Sequence, residues 1–118
     1  MATVLLVDDD PELRAMLSFS LELAGHSVKT AVHGRDALAQ LQDVRPAVIL
    51  LDLMMPVMDG VEFWRTLRQD PCFAETPIVF LSAKHSAQTE ATALGLPCIT
   101  KPFEIDDVTR IVRQFAGE

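Results

Sequence analysis

The chain has 118 residues, 49% of them hydrophobic and 23% charged, with a formal net charge of −7. That length and balance predict one globular domain over residues 1–118 with a core of its own, and they exclude a disordered chain. The acidic surface, with Lys and Arg scattered and no basic stripe, argues against direct nucleic-acid binding and favours a cation or a partner with a basic face.

No apolar run approaches the ~20 residues of a membrane span, so no membrane association is expected. Residues 1–7 are apolar but stop at Asp8, without a basic start or a cleavage site, so a signal peptide is not expected either. Cys72 and Cys98 lack the spacing of a zinc site or a redox pair, and a reduced cytoplasmic chain is the expectation.

Residues 3–7 form the first apolar run, read as a strand, and lead into Asp8-Asp9-Asp10 and Pro11. Asp10 before Pro11 is an N-cap pattern with proline at the first helical position. Leu13, Met16, Leu17, Leu21 and Ala24 recur at helical spacing, which predicts a helix over 11–24 with Gly25 as its stop signal. Residues 27–31 predict a weaker strand, assigned to the sheet edge by the polar Ser27, Lys29 and Thr30. Ala37, Leu38 and Leu41 mark a second helix after Gly34 that ends before Pro46.

Val48-Ile49-Leu50-Leu51 runs into Asp52 with no polar alternation, the pattern of a strand covered on both faces. Pro56 and Asp59-Gly60 then predict a tight loop. Val61, Trp64, Leu67 and Arg68 predict a third helix, with Trp64 as core filler, and Pro71 and Pro77 bracket the next loop. Residues 78–81 read as another two-faced strand that ends at Ser82-Ala83-Lys84. Residues 86–94 fit one short helix, stopped by Gly95 and Pro97, and residues 98–100 a short fifth strand before Lys101-Pro102. Ile105, Val108, Ile111, Val112 and Phe115 form the apolar stripe of a last helix.

Strand and helix alternate five times, which predicts a doubly wound, flavodoxin-like (βα)5 α/β fold. Its parallel five-stranded sheet should have right-handed crossovers and the order 2-1-3-4-5. In that order the carboxyl ends of the first, third, fourth and fifth strands converge, carrying Asp8 and Asp9, Asp52, Ser82 and Lys101. Each has an ordinary explanation alone: Asp52 as a loop cap, Ser82 as an N-cap, Lys101 as solvated surface. Their arrival at one sheet edge is harder to dismiss. Two like charges 4 Å apart cost ~4 kcal/mol at an effective dielectric near 20, so the carboxylates call for a hard divalent cation, with Mg²⁺ the leading candidate. A nucleophilic carboxylate, a hydroxyl and a fixed cation suit phosphoryl transfer to an aspartate. The histidines supply no acid–base pair: His26 and His33 are expected at the surface, and His85 has no evident orienting partner.

Four segments carry a resemblance across essentially the whole chain: Leu5-Leu6-Val7-Asp8-Asp9-Asp10; Leu50-Leu51-Asp52-Leu53-Met54-Met55-Pro56 with Asp59-Gly60; Phe80-Leu81-Ser82-Ala83; and Thr100-Lys101-Pro102-Phe103. In this order and spacing the chain resembles the receiver domain of two-component response regulators, and is similar to single-domain, chemotaxis-type receivers. The resemblance implies that Asp52 accepts a phosphoryl group from a sensor histidine kinase or phosphotransfer protein. It implies Mg²⁺ held at Asp8, Asp9, Asp52 and the main-chain carbonyl of Met54, with Ser82 and Lys101 contacting the phosphoryl group and a cis Lys101-Pro102 bond. Met54, Ala83, Lys84 and Cys98 fall at positions that tune the phosphoryl lifetime or the switch. The expected protein is a signalling receiver with an unspecified output partner, monomeric or weakly dimeric, and not an enzyme acting on a separate substrate.

Two features depart from the family pattern. Cys98 replaces the usual aromatic three residues before the lysine, and the segment from Ser82 to Lys101 is short, which implies a shortened fourth helix. A receiver acting only as a binding module, and a metal-dependent aspartyl-phosphate phosphohydrolase, are the alternatives. Intact Asp8, Asp9, Asp52, Ser82 and Lys101 weigh against the first. Met54 as neither acid nor base, and a length without room for a cap, weigh against the second.

Overall fold

The apolar runs become strands whose successive side chains point to opposite faces of one sheet. The computed structural model describes residues 3–52, 60–82, 98–100 and 105–115. Within them lie β1 (Thr3–Val7), α1 (Pro11–Leu23), β2 (Ser27–Ala31), α2 (Gly34–Gln40), β3 (Val48–Asp52), α3 (Gly60–Arg68), β4 (Ile78–Ser82), β5 (Cys98–Thr100) and α4 (Ile105–Phe115). The five strands are all parallel in the order β2-β1-β3-β4-β5. The helix expected over 86–94 and the Lys101-Pro102 bond lie outside the described residues.

Two core clusters fill the two sides. Leu5, Val7, Ile49, Leu51, Ile78 and Phe80 meet Ala37 of α2 and Phe63 and Leu67 of α3. Val4, Leu6, Val48, Leu50, Val79 and Leu81 meet Leu17 and Leu21 of α1 and Val108 and Val112 of α4. Every residue of β3 is buried, as a central strand covered by helices requires. β2 takes the edge position expected from its polar residues, with Lys29 and Thr30 exposed.

The ends of α1 follow from its flanks. Asp10 caps it by accepting from the amides of Glu12 at 3.0 Å and Leu13 at 3.4 Å. At the far end Gly25 adopts φ +96°, the left-handed conformation open to glycine. The amide of Gly25 then donates to the Glu22 carbonyl and that of His26 to the Leu21 carbonyl, which is the Schellman closure. This closure corrects the surface expectation for His26, which is only 5% exposed: the chain doubles back over the helix end and carries the imidazole inward. His33 also has a structural task. It is half-buried as the N-cap of α2, its Nδ1 accepting from the Asp36 amide at 3.1 Å, while Asp36 Oδ2 accepts from the Val32 amide at 3.1 Å.

On α3 the fully buried aromatic is Phe63, while Trp64 is partly buried against the same core cluster. Arg68 lies 5.9 Å from the Trp64 ring and donates to the carbonyls of Phe73 at 3.1 Å and Thr76 at 3.0 Å. It thereby fastens the loop that leads into β4. Burial lowers the pKa of this guanidinium, and the two carbonyls compensate its lost hydration.

Candidate metal and phosphoryl-transfer site

Strand register brings the acidic residues together. β1 pairs with β3 from Val4 with Val48 up to Val7 with Leu51, so Asp8 and Asp52 follow at the same level on neighbouring strands. β3 pairs Asp52 with Leu81, so Ser82 comes one residue further along β4. β4 in turn pairs Ser82 with Thr100, the residue before Lys101. All of these positions fall at the carboxyl edge of the sheet, where open α/β sheets bind ligands.

Asp8, Asp9 and Asp52 each offer a carboxylate oxygen, and these oxygens lie within 4.8 Å of one another. Asp8 is fully buried and Asp52 is 6% exposed, whereas Asp9 is open to solvent. Among the described residues the site therefore has a buried floor at Asp8 and Asp52 and a solvent-exposed member at Asp9. Three hard oxygen donors at this separation fit Mg²⁺, which prefers oxygen ligands and keeps several of its waters.

Local hydrogen bonds fix the loop that carries the pair. The Asp8 amide donates to the Ala31 carbonyl at 3.2 Å, tying the end of β1 to β2. Asp8 Oδ1 accepts from the Asp10 amide at 2.9 Å, and the Asp8 carbonyl accepts from Arg14 Nη1 at 2.7 Å. Arg14 has no part in the sequence reading. A signal was available, since an arginine in the first turn of a helix opposes the helix dipole and needs a specific partner. Of the other predicted site residues, the backbones of Ser82 and Cys98 are placed in β4 and β5. Met54, Ala83, Lys84 and Lys101 lie outside the described residues, as does His85.

A family model described as the response regulator receiver domain matches residues 4–113. The chain belongs to this family. Among related receivers of known structure, chemotaxis response regulator CheY4 of Vibrio cholerae is 37% identical and superposes with a TM-score of 0.88 over 98% of both chains. The receiver domain of sensor histidine kinase PA1611 from Pseudomonas aeruginosa is 26% identical with a TM-score of 0.89, over 99% of this chain and 98% of that one. That structure holds a magnesium ion coordinated in its active-site cleft. By sequence, the DNA-binding dual master transcriptional regulator RpaA of Synechocystis is 34% identical over 116 residues, 96% of this chain and 48% of RpaA. The receiver spans about half or less of the length of the curated relatives it matches.

Proposed function

We propose that residues 1–118 form one receiver domain that accepts a phosphoryl group on Asp52 from the phosphohistidine of a sensor histidine kinase or phosphotransfer protein. The observation that carries this reading is the meeting of the Asp8, Asp9 and Asp52 carboxylates at the carboxyl edge of the sheet. An Asp52 oxygen attacks phosphorus, the P–O bond forms as the P–N bond breaks, and the donor's imidazole leaves, so that Asp52 carries an acyl phosphate. Asp8, Asp9, Asp52 and the main-chain carbonyl of Met54 would hold Mg²⁺, which when bound offsets charge on the transferring phosphoryl oxygens. The solvent exposure of Asp9 supports approach of the donor from that side.

Ser82, one residue past the partner of Asp52 on β4, is assigned to hydrogen-bond the transferred group. Lys101, next after Thr100 of β5, is assigned to neutralise it. Met54, Ala83 and Lys84 are assigned to tune its lifetime, and Cys98 replaces the aromatic of the usual switch.

The protein acts as a signalling receiver through a protein partner rather than on nucleic acid, in keeping with its net charge of −7. We assign it to the cytoplasm as a monomer or weak dimer. Among the described residues no helix is long and apolar enough to cross a membrane.

Incubation with a small-molecule phosphodonor and Mg²⁺, followed by intact mass measurement, tests the proposal. One phosphoryl group should add to the wild type and none to Asp52→Asn. Multiple-turnover release of phosphate would instead identify a phosphohydrolase, and no addition a binding module.

A further inference from the structure

We infer that Arg14 is a positioning residue for the acidic site: its guanidinium holds the peptide plane between Asp8 and Asp9 and so sets the direction of the Asp9 carboxylate. This rests on the reading of the cluster as a Mg²⁺ site.

Arg14 stands one helical turn after the cap residue Asp10, half-buried, and donates from Nη1 to the Asp8 carbonyl at 2.7 Å. The choice of partner is informative. Asp8, Asp9 and Asp10 are close in sequence, yet among the described residues Arg14 forms no ion pair with any of them and bonds a neutral carbonyl. A guanidinium meant only to offset the acidic charge gains more from a carboxylate. A guanidinium bound to the carbonyl controls geometry instead.

The peptide group is planar, so fixing the Asp8 carbonyl also fixes the direction in which the chain leaves toward Asp9. Two other hydrogen bonds of Asp8 do not do this. Its amide bond to Ala31 holds the preceding peptide, and its Oδ1 bond to Asp10 holds the side chain. Asp9 is the exposed member of the cluster, whereas Asp8 and Asp52 are buried.

Arg14→Met separates positioning from charge because the two effects have opposite signs. Removing a cation beside a cation site strengthens Mg²⁺ binding by simple electrostatics. Losing the carbonyl anchor weakens it, by about ten-fold if one hydrogen bond from a charged donor is lost. Calorimetric Mg²⁺ titration of the wild type, Arg14→Met and Arg14→Lys gives the affinities, and ¹H–¹⁵N spectra of the three metal-free proteins report on the Asp9 and Asp10 amides.

Weaker binding in Arg14→Met, recovered in Arg14→Lys, with a displaced Asp9 amide already present without metal, is the expected result. Equal or tighter Mg²⁺ binding in Arg14→Met, or an unmoved Asp9 amide, overturns the assignment. If Arg14→Met does not fold, Arg14→Lys decides: wild-type affinity with an unmoved Asp9 amide supports the assignment, and a collapse of affinity despite the retained charge and donor overturns it. A wild type that binds no Mg²⁺, while its Asp9 amide still responds to Arg14→Met, overturns the metal reading and leaves the loop anchor standing.

Discussion

Asp8 and Asp52 stand one residue beyond Val7 and Leu51, the last registered pair of two neighbouring buried strands, and both carboxylates are shielded from water. Two buried like charges at this spacing repel each other in the metal-free domain, and the partners of each carboxylate offset part of that repulsion. At an effective dielectric near 20 a pair about 4–5 Å apart repels by ~3–4 kcal/mol, which surrounding dipoles and nearby solvent reduce. Asp52→Asn is therefore expected to raise the stability of the metal-free protein by about 1 kcal/mol in urea unfolding. Mg²⁺ should stabilise the wild type more than the variant. A destabilised Asp52→Asn would mean that Asp52 is held by favourable contacts that outweigh its repulsion with Asp8.

The third helix divides its two aromatics unequally. Phe63 is fully buried, and Phe63→Ala should cost about 3–5 kcal/mol by cavity formation. Trp64 presents a buried Nε1 with no hydrogen-bond partner among the described residues. Trp64→Phe removes that unsatisfied donor together with some volume, so its cost should stay below about 1.5 kcal/mol. Circular dichroism is the appropriate probe, since Trp64 is the chain's one tryptophan. A Trp64→Phe loss as large as that of Phe63→Ala would contradict the division.

His33 caps α2 through Nδ1, so what matters at this position is an acceptor, not an imidazole. His33→Ala should cost about 1 kcal/mol, while His33→Ser or His33→Asn restores the cap. Urea midpoints of the three variants test this ordering. Equal losses in all three would show that the ring contributes by packing.

Cys98 lies in β5 opposite Phe80 of β4, where the resemblance leads one to expect an aromatic residue that rotates on activation. Cysteine has little bulk to swing. Phosphorylation of Asp52 should therefore shift amides after Asp52 and Ser82 more than those of Cys98–Thr100, and should leave the protein monomeric or weakly dimeric in sedimentation. Large shifts centred on β5 together with tight dimerisation would show that the usual output surface operates without the ring.

The fold was legible because burial dictates composition. Val4 to Val7, Val48 to Leu51 and Ile78 to Leu81 are apolar without alternation, and only a parallel sheet covered on both faces buries such strands completely. Asp10-Pro11 and Gly25 marked the ends of α1 because capping and positive φ select particular residues. The acidic site was legible for a related reason: carboxylates directly after buried strands must come together once the strand order is known.

What the sequence left unread are side chains whose role depends on a particular partner that the folded turn sets before them. Neither His26 nor His33 sits in an apolar pattern; the Schellman turn buries one and the α2 cap employs the other. Phe63 and Trp64 are adjacent and both aromatic, and only the pitch of α3 against the sheet decides which is fully buried. Arg14 entered no sequence pattern and Arg68 counted only toward the third helix, yet each donates to a backbone carbonyl outside its own helix. Periodicity and capping are local and are written in neighbouring residues. By itself the sequence therefore determined the strands, their order and the edge at which Asp8, Asp9 and Asp52 gather. Only the tertiary structure decided which side chains hold that edge in place, because such bonds depend on how the folded backbone aims each side chain, which apolar periodicity does not specify.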